Sequence, residues 1–157
     1  MTVKAIPDGY HSITPYLITK GAASAVEFYK KAFGAEEVMR LAGPGDTIMH
    51  GEIRIGDSVV MLADEFPEMN VLSPQKPGAA GVGICLYVDK VDEVVAQAIE
   101  AGAKVQRPLM DQFYGDRSAT LEDPYGHVWT VASHIEDVSE EEMERRLAAM
   151  MQAQQQQ

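Results

Sequence analysis

One strand, one helix and three strands occur in that order twice along the chain, and this repeat restricts the possible folds more than any other feature. In the first half, residues 12–18 carry Ile13, Tyr16, Leu17 and Ile18 and read as a strand. Gly21 then opens a helix whose apolar residues Ala22, Ala25, Val26, Tyr29, Ala32 and Phe33 recur at three and four, and Gly34 stands where a left-handed glycine ends a helix. Residues 36–41 form a second strand, broken by Gly43-Pro44-Gly45-Asp46. Residues 48–55 alternate, with Met49, Ile53 and Ile55 on one face and His50, Glu52 and Arg54 on the other. Gly56-Asp57 turns the chain into a fourth strand at 58–63. The same order returns as a strand at 83–88, a helix at 91–101 ended by Gly102, and short strands at 104–108 and 117–121. The turn Asp123-Pro124-Tyr125-Gly126 then leads into a last strand at 127–133.

The fold class this predicts is α+β: two βαβββ modules, at residues 12–63 and 82–134, within one domain. Residues 64–81, with Pro67, Pro74, Pro77 and Gly78, form a linker or lid, and a segment of this length suits a functional role. Residues 1–11 read as an arm with a turn at Pro7-Asp8-Gly9. Ser139-Glu140-Glu141-Glu142 is a capping-box pattern that opens a C-terminal helix reaching about Met151, and the glutamine-rich end at 152–157 reads as frayed.

Composition sets the function classes. Thirteen Lys and Arg against 24 Asp and Glu leave a net charge of −11, which repels nucleic acid and anionic membrane, so neither is expected as a partner. The single cysteine, Cys85, excludes an internal disulfide framework and fits a reducing compartment. No signal segment and no apolar run of about 18 residues is present, so a cytoplasmic location is expected. No phosphate-cradling glycine loop, CxxC, H-E-x-x-H or G-x-S-x-G motif occurs.

Phe28-Tyr29-Lys30-Lys31-Ala32-Phe33-Gly34, Leu86-Tyr87-Val88-Asp89 and Asp123-Pro124-Tyr125-Gly126-His127, set in a paired βαβββ pattern over residues 12–134, resemble the vicinal-oxygen-chelate superfamily. That is the glyoxalase, bleomycin-resistance and dioxygenase group. Thr14-Pro15-Tyr16-Leu17 and Tyr114-Gly115-Asp116-Arg117-Ser118 are similar to its PhnB-like branch. The resemblance implies a cavity lined by strands and, in the metal enzymes, ligands on the first, fourth, fifth and eighth strands. Here those positions fall on Thr14, Met61, Gly83 and Thr130, none of which offers an imidazole or a carboxylate. The chain is therefore expected to hold no metal and no other cofactor.

His50 and Glu52 share one strand face and form a candidate general base with its carboxylate partner. Tyr16, Met61, Cys85 and Tyr87 have the same inward parity and predict an apolar, aromatic pocket, to which Arg54 and Arg117 would add cationic groups. Arg117 is matched to His50 across the repeat, as an anion-binding group facing the cavity. His127 reads as a turn or interface residue, Trp129 as core, and His11 and His134 as strand-edge residues able to approach one another. Two functions follow: metal-free binding of a small organic molecule, or a glyoxalase-like lyase or isomerase in which His50 and Glu52 move a proton beside a carbonyl. Sheet edges and cavity rims left to cover, together with the helical stripe Met143, Leu147, Met150 and Met151, predict a homodimer.

Overall fold

The computed structural model describes residues 3–76 and 81–156. Its elements run β1 (Tyr16–Thr19), α1 (Ala22–Phe33), β2 (Glu36–Ala42), β3 (Ile48–Ile55), β4 (Ser58–Asp64), a short 3-10 turn (Pro67–Met69), β5 (Gly83–Tyr87), α2 (Val91–Ala101), β6 (Lys104–Asp111), β7 (Asp116–Glu122), β8 (Val128–His134) and α3 (Glu140–Gln155). The strands make two four-stranded sheets, ordered β1-β4-β3-β2 and β5-β8-β7-β6. In each sheet the first strand runs parallel to the last, and the other pairings are antiparallel. This is the paired βαβββ α+β architecture, with a third helix at the C-terminus.

Period-two alternation gives each sheet one face for its helix and one that no helix covers. Ile53, Ile55, Val60 and Leu62 of the first sheet and Ala119, Leu121, Trp129 and Val131 of the second join α1 and α2 in one buried cluster. Trp129 lies 4.7 Å from Phe33 and 5.5 Å from Tyr29 between ring centroids, so α1 packs on the second module as well as its own. The expectation that Trp129 is a core residue holds.

Both helices borrow their first-turn acceptor from the last strand of their own module. Gly21, at φ 91°, brings no side chain to α1; instead Asp64 Oδ1 at the end of β4 accepts from Gly21 N and Ala22 N at 2.9 and 3.0 Å. Its Oδ2 accepts from Ile48 N at 2.7 Å, which ties β3 to the same point. In the second module Ser133 Oγ accepts from Val91 N at 3.2 Å and donates to Val88 O at 2.5 Å. These bonds satisfy backbone groups that a helix start leaves without partners.

Four local departures from the sequence reading have physical causes. β1 begins at Tyr16, after Pro15, which lacks the N–H a paired strand residue supplies. In β3 the register slips between Leu41 and Ala42 of its partner, so Met49 is the extra residue of a bulge; Ile48 turns into the core and Met49 outward. β6 continues past Pro108 to Asp111 because it is an edge strand, where proline is tolerated. α3 extends to Gln155 rather than fraying at Gln152, consistent with the good helix propensity of glutamine. Residues 77–80 of the expected linker lie outside the described residues.

Candidate functional site

On the uncovered face of the first sheet, Tyr16, His50, Glu52 and Tyr10 form one hydrogen-bonded chain. Tyr16 and Met61 are register partners, and so are Met61 and Glu52, which puts all three on the same face. His50 Nε2 lies 2.9 Å from Glu52 Oε1, and Tyr16 Oη lies 2.7 Å from His50 Nδ1. Tyr10, from the N-terminal arm, donates to Glu52 Oε2. Glu52 is buried. Burial pushes its pKa up, but the hydrogen bonds from Tyr10 and His50 outweigh that and hold it below the usual glutamate value. An ionised Glu52 only accepts, so His50 donates through Nε2; in a neutral ring Nδ1 then accepts the Tyr16 proton. Tyr16 is pushed up by burial and by the Glu52 charge, and acts as a hydrogen-bonding group rather than a phenolate.

A second polar chain lies on the uncovered face of the other sheet. Asp116, buried at the start of β7, accepts from Tyr87 Oη at 2.7 Å and from His134 Nδ1 at 2.8 Å. His134 Nε2 is 2.8 Å from Asp137 Oδ1. The bond to Asp116, with burial and its charge, pushes the Tyr87 hydroxyl up to about 12. His134 is raised by its bonds to Asp116 and Asp137, because both partners favour the imidazolium. Cys85, two residues before Tyr87, is raised by burial and by Asp116, so it is no activated thiolate.

The expected juxtaposition of His50, Glu52 and Arg117 does not occur. Arg117 pairs with Ser133 of β8, on the helix-covered face, and its guanidinium bonds Asp92 at 2.7 and 3.1 Å and Asp111 at 2.9 Å. Alternation in β7 gives the uncovered face to Asp116, Ser118 and Thr120. Arg54 stays exposed in the row of His50 and Glu52. His11 and His134 have separate partners, Asp57 at 3.9 Å and the Asp116–Asp137 pair.

A cavity of about 800 Å³ lies between the edge strands β1 and β5 and is bounded by residues 72–76 and 81–82. Its walls include Ile13, Tyr16, Ile18, Leu72, Ile84 and Cys85. His127, expected at a turn or interface, lines it too, with Nε2 3.0 Å from Ile18 O on the exposed edge of β1. A smaller cavity of about 400 Å³ lies under the N-terminal arm, against Tyr10, Glu52, Thr14 and Met61. Tyr16 thus lines the large cavity, while the Glu52 end of its hydrogen-bonded chain lines the small one. Tyr10, Asp116 and His127 were missed as site residues: Tyr10 sits in the non-repeating arm, and a turn hid the strand parity of Asp116.

The family's metal chemistry does not fit this donor set. Cys85 is the register partner of Thr130 and Tyr16 that of Met61, so these uncovered positions on β1, β4, β5 and β8 carry hydroxyl, thioether and thiol groups, and His134 at the end of β8 is taken up by Asp116 and Asp137. Among the described residues, no three His, Cys, Asp or Glu converge as a metal site. No helix among them is long and apolar enough to cross a membrane.

A family model for the glyoxalase/bleomycin resistance protein/dioxygenase superfamily matches residues 9–131. An uncharacterised protein of Mycobacterium tuberculosis is 36% identical over 141 residues, which cover 88% of this chain and 83% of that protein. The crystal structure of PA1353 from Pseudomonas aeruginosa superposes with a TM-score of 0.63 at 28% identity, over 79% of this chain and 98% of the other. The PhnB protein of Bacillus cereus shares the fold with a TM-score of 0.59 at 19% identity, over 78% of this chain and 99% of its own. The match over most of the length, with the paired βαβββ sheets that carry it, places this chain in the glyoxalase/bleomycin resistance protein/dioxygenase superfamily.

Proposed function

We propose that the protein binds a small organic molecule with a largely apolar body in the cavity between β1 and β5, without a metal. The observation that carries this reading is the cavity itself. Its volume of about 800 Å³ lies within the range of small-molecule sites, and aliphatic and aromatic side chains with few polar groups line it. Cys85, the single cysteine, reports on occupancy because it stands in the wall. A ligand in the cavity slows alkylation of Cys85 by iodoacetamide, measured near pH 9 to allow for the raised thiol pKa. Native mass spectrometry of protein purified without chelator should show retained organic mass and well below one equivalent of transition metal. Stoichiometric nickel or zinc, lost together with activity, would return the protein to the metalloenzymes.

The chain Tyr16–His50–Glu52 favours a second reading, a glyoxalase-like lyase or isomerase. A proton taken from a substrate by the Tyr16 oxygen displaces the Tyr16 proton onto His50 Nδ1, and Glu52 stabilises the imidazolium formed. His50→Ala separates the two readings. Turnover of a glyoxalase-type substrate would fall about 10²- to 10⁴-fold under the second, with ligand affinity kept. Under the first, the variant changes affinity alone.

A further inference from the structure

We infer that the ligand of the β1–β5 cavity is an apolar molecule ending in a carboxylate, an aromatic or medium-chain aliphatic acid, with Lys76 at its charged end. This rests on the cavity reading above and specifies its ligand. In a chain with 24 acidic residues, the cavity lining among the described residues contains no Asp or Glu, and Lys76 is the one Lys or Arg among them. The smaller depressions differ: one has Glu122 and Asp123 in its lining, another Glu52 and a third Asp89. Glu65, the carboxylate bonded to the rim residues Ser73 and Gln75, is occupied. It accepts from Ser73 N at 2.8 Å, from the Ser73 hydroxyl and from Gln75 Nε2 at 3.4 Å. These bonds hold the 73–75 rim segment in place while Lys76 follows it at the mouth. His127 uses Nε2–H on the Ile18 carbonyl, since a carbonyl only accepts, and keeps Nδ1 as its remaining polar atom.

The net charge of −11 does not decide the matter. At physiological salt, exposed charges are screened beyond about 8 Å, so an anion inside the cavity responds mainly to the groups lining it. Among the described lining residues an ammonium would meet Lys76 and no carboxylate, whereas a carboxylate meets that lysine. The apolar wall, with Ile13, Leu72, Pro74, Val82 and Ile84, takes the body of the molecule.

Calorimetric titration with octanoate, octan-1-ol and octylammonium, followed by the same probes in the Cys85 alkylation assay, tests the inference. The expected result is that octanoate binds at least tenfold more tightly than octylammonium and protects Cys85. Lys76→Glu should then weaken octanoate about tenfold or more while leaving octan-1-ol within twofold, because a direct charged hydrogen bond contributes on that order. Lys76 is exposed, so the substitution does not disturb the core. If octan-1-ol binds and protects Cys85 but octanoate shows no advantage, or Lys76→Glu has no effect, the carboxylate inference fails and the cavity reading stands. If none of the three binds or protects Cys85, both fail.

Discussion

The Tyr29 hydroxyl on α1 donates to Asp123 Oδ2 at 2.5 Å, joining the helix of the first module to the turn before the last strand of the second. Asp123 Oδ2 also accepts from Trp129 Nε1, and Oδ1 accepts from Tyr125 N and His127 N, each at 2.9 Å. With Asp123 only 3% exposed, all four donors depend on it. Burial, then the charge of Asp123, pushes the Tyr29 hydroxyl well above the ordinary tyrosine value, so it remains a donor at any working pH. Asp123→Ala should cost on the order of 3–5 kcal/mol, since it strands buried donors, and Tyr29→Phe about 1.5–3 kcal/mol. Against a total stability of about 5–15 kcal/mol, the first loss is large. Urea unfolding measures both, and an Asp123→Ala variant within about 1 kcal/mol of wild type would show that the modules do not rely on this residue.

The N-terminal arm sets the acidity of Glu52. Removing the Tyr10 hydroxyl with Tyr10→Phe leaves the burial that raises the Glu52 pKa and takes away the bond that lowers it most. The Glu52 pKa should therefore rise, as read by carboxyl-carbon NMR titration. A depressed carboxylate pKa contributes stability above its unfolded value of about 4.3 and loses it as pH falls through the folded value. The variant should accordingly show a smaller difference in stability between neutral and acid pH than wild type. An unchanged Glu52 titration would mean that the arm does not engage the sheet in solution.

His134 behaves in the opposite sense. Its pKa is raised by Asp116 first and Asp137 second. The stability it contributes is present below the unfolded histidine value of about 6.5 and is lost as pH rises through the folded one. Between about pH 5.5 and 8.5, wild type should lose stability that His134→Gln does not lose. Parallel slopes for the two proteins in paired urea titrations would remove His134 from the account.

A homodimer is expected from surfaces that one chain leaves open. β2 and β6 are edge strands exposed over nearly all their residues, and Tyr16 and Tyr87 on the uncovered sheet faces are 46% and 60% exposed. α3 buries none of its residues and leaves Leu147, Met150 and Met151 exposed. Arg146 anchors it, bonding Glu136 at 2.8 and 3.0 Å and the Phe113 carbonyl at 3.2 Å. Light scattering should give twice the chain mass, and deletion after Asp137 should weaken the association. A monomer at micromolar concentration, unchanged by the deletion, would count against it.

Much of the fold was legible in the chain. The turn glycines and hydrophobic periods located every strand and helix of the repeat, because those signals are local. The His50–Glu52 pair was legible for the same reason: a spacing of two on a strand puts both side chains on one face. Arg117 failed at one step of parity. Glu122 pairs with Val128 across the Asp123 turn, so counting outward pairs Thr120 with Thr130 and Arg117 with Ser133. If Thr130 faces away from the helices, Arg117 cannot, and that count needed only the turn to be placed.

Other features depended on which distant groups meet. Tyr10 reaches Glu52 across 42 residues, Tyr29 reaches Asp123 across 94, and His127 reaches the Ile18 carbonyl across 109. Local periodicity states which face a residue takes, not what stands opposite it; that follows from how the helices pack the two sheets together. The cavity is a product of the same packing. β1 and β5 are edge strands in separate sheets, and only the docking of one module on the other brings those edges to the walls of a common space.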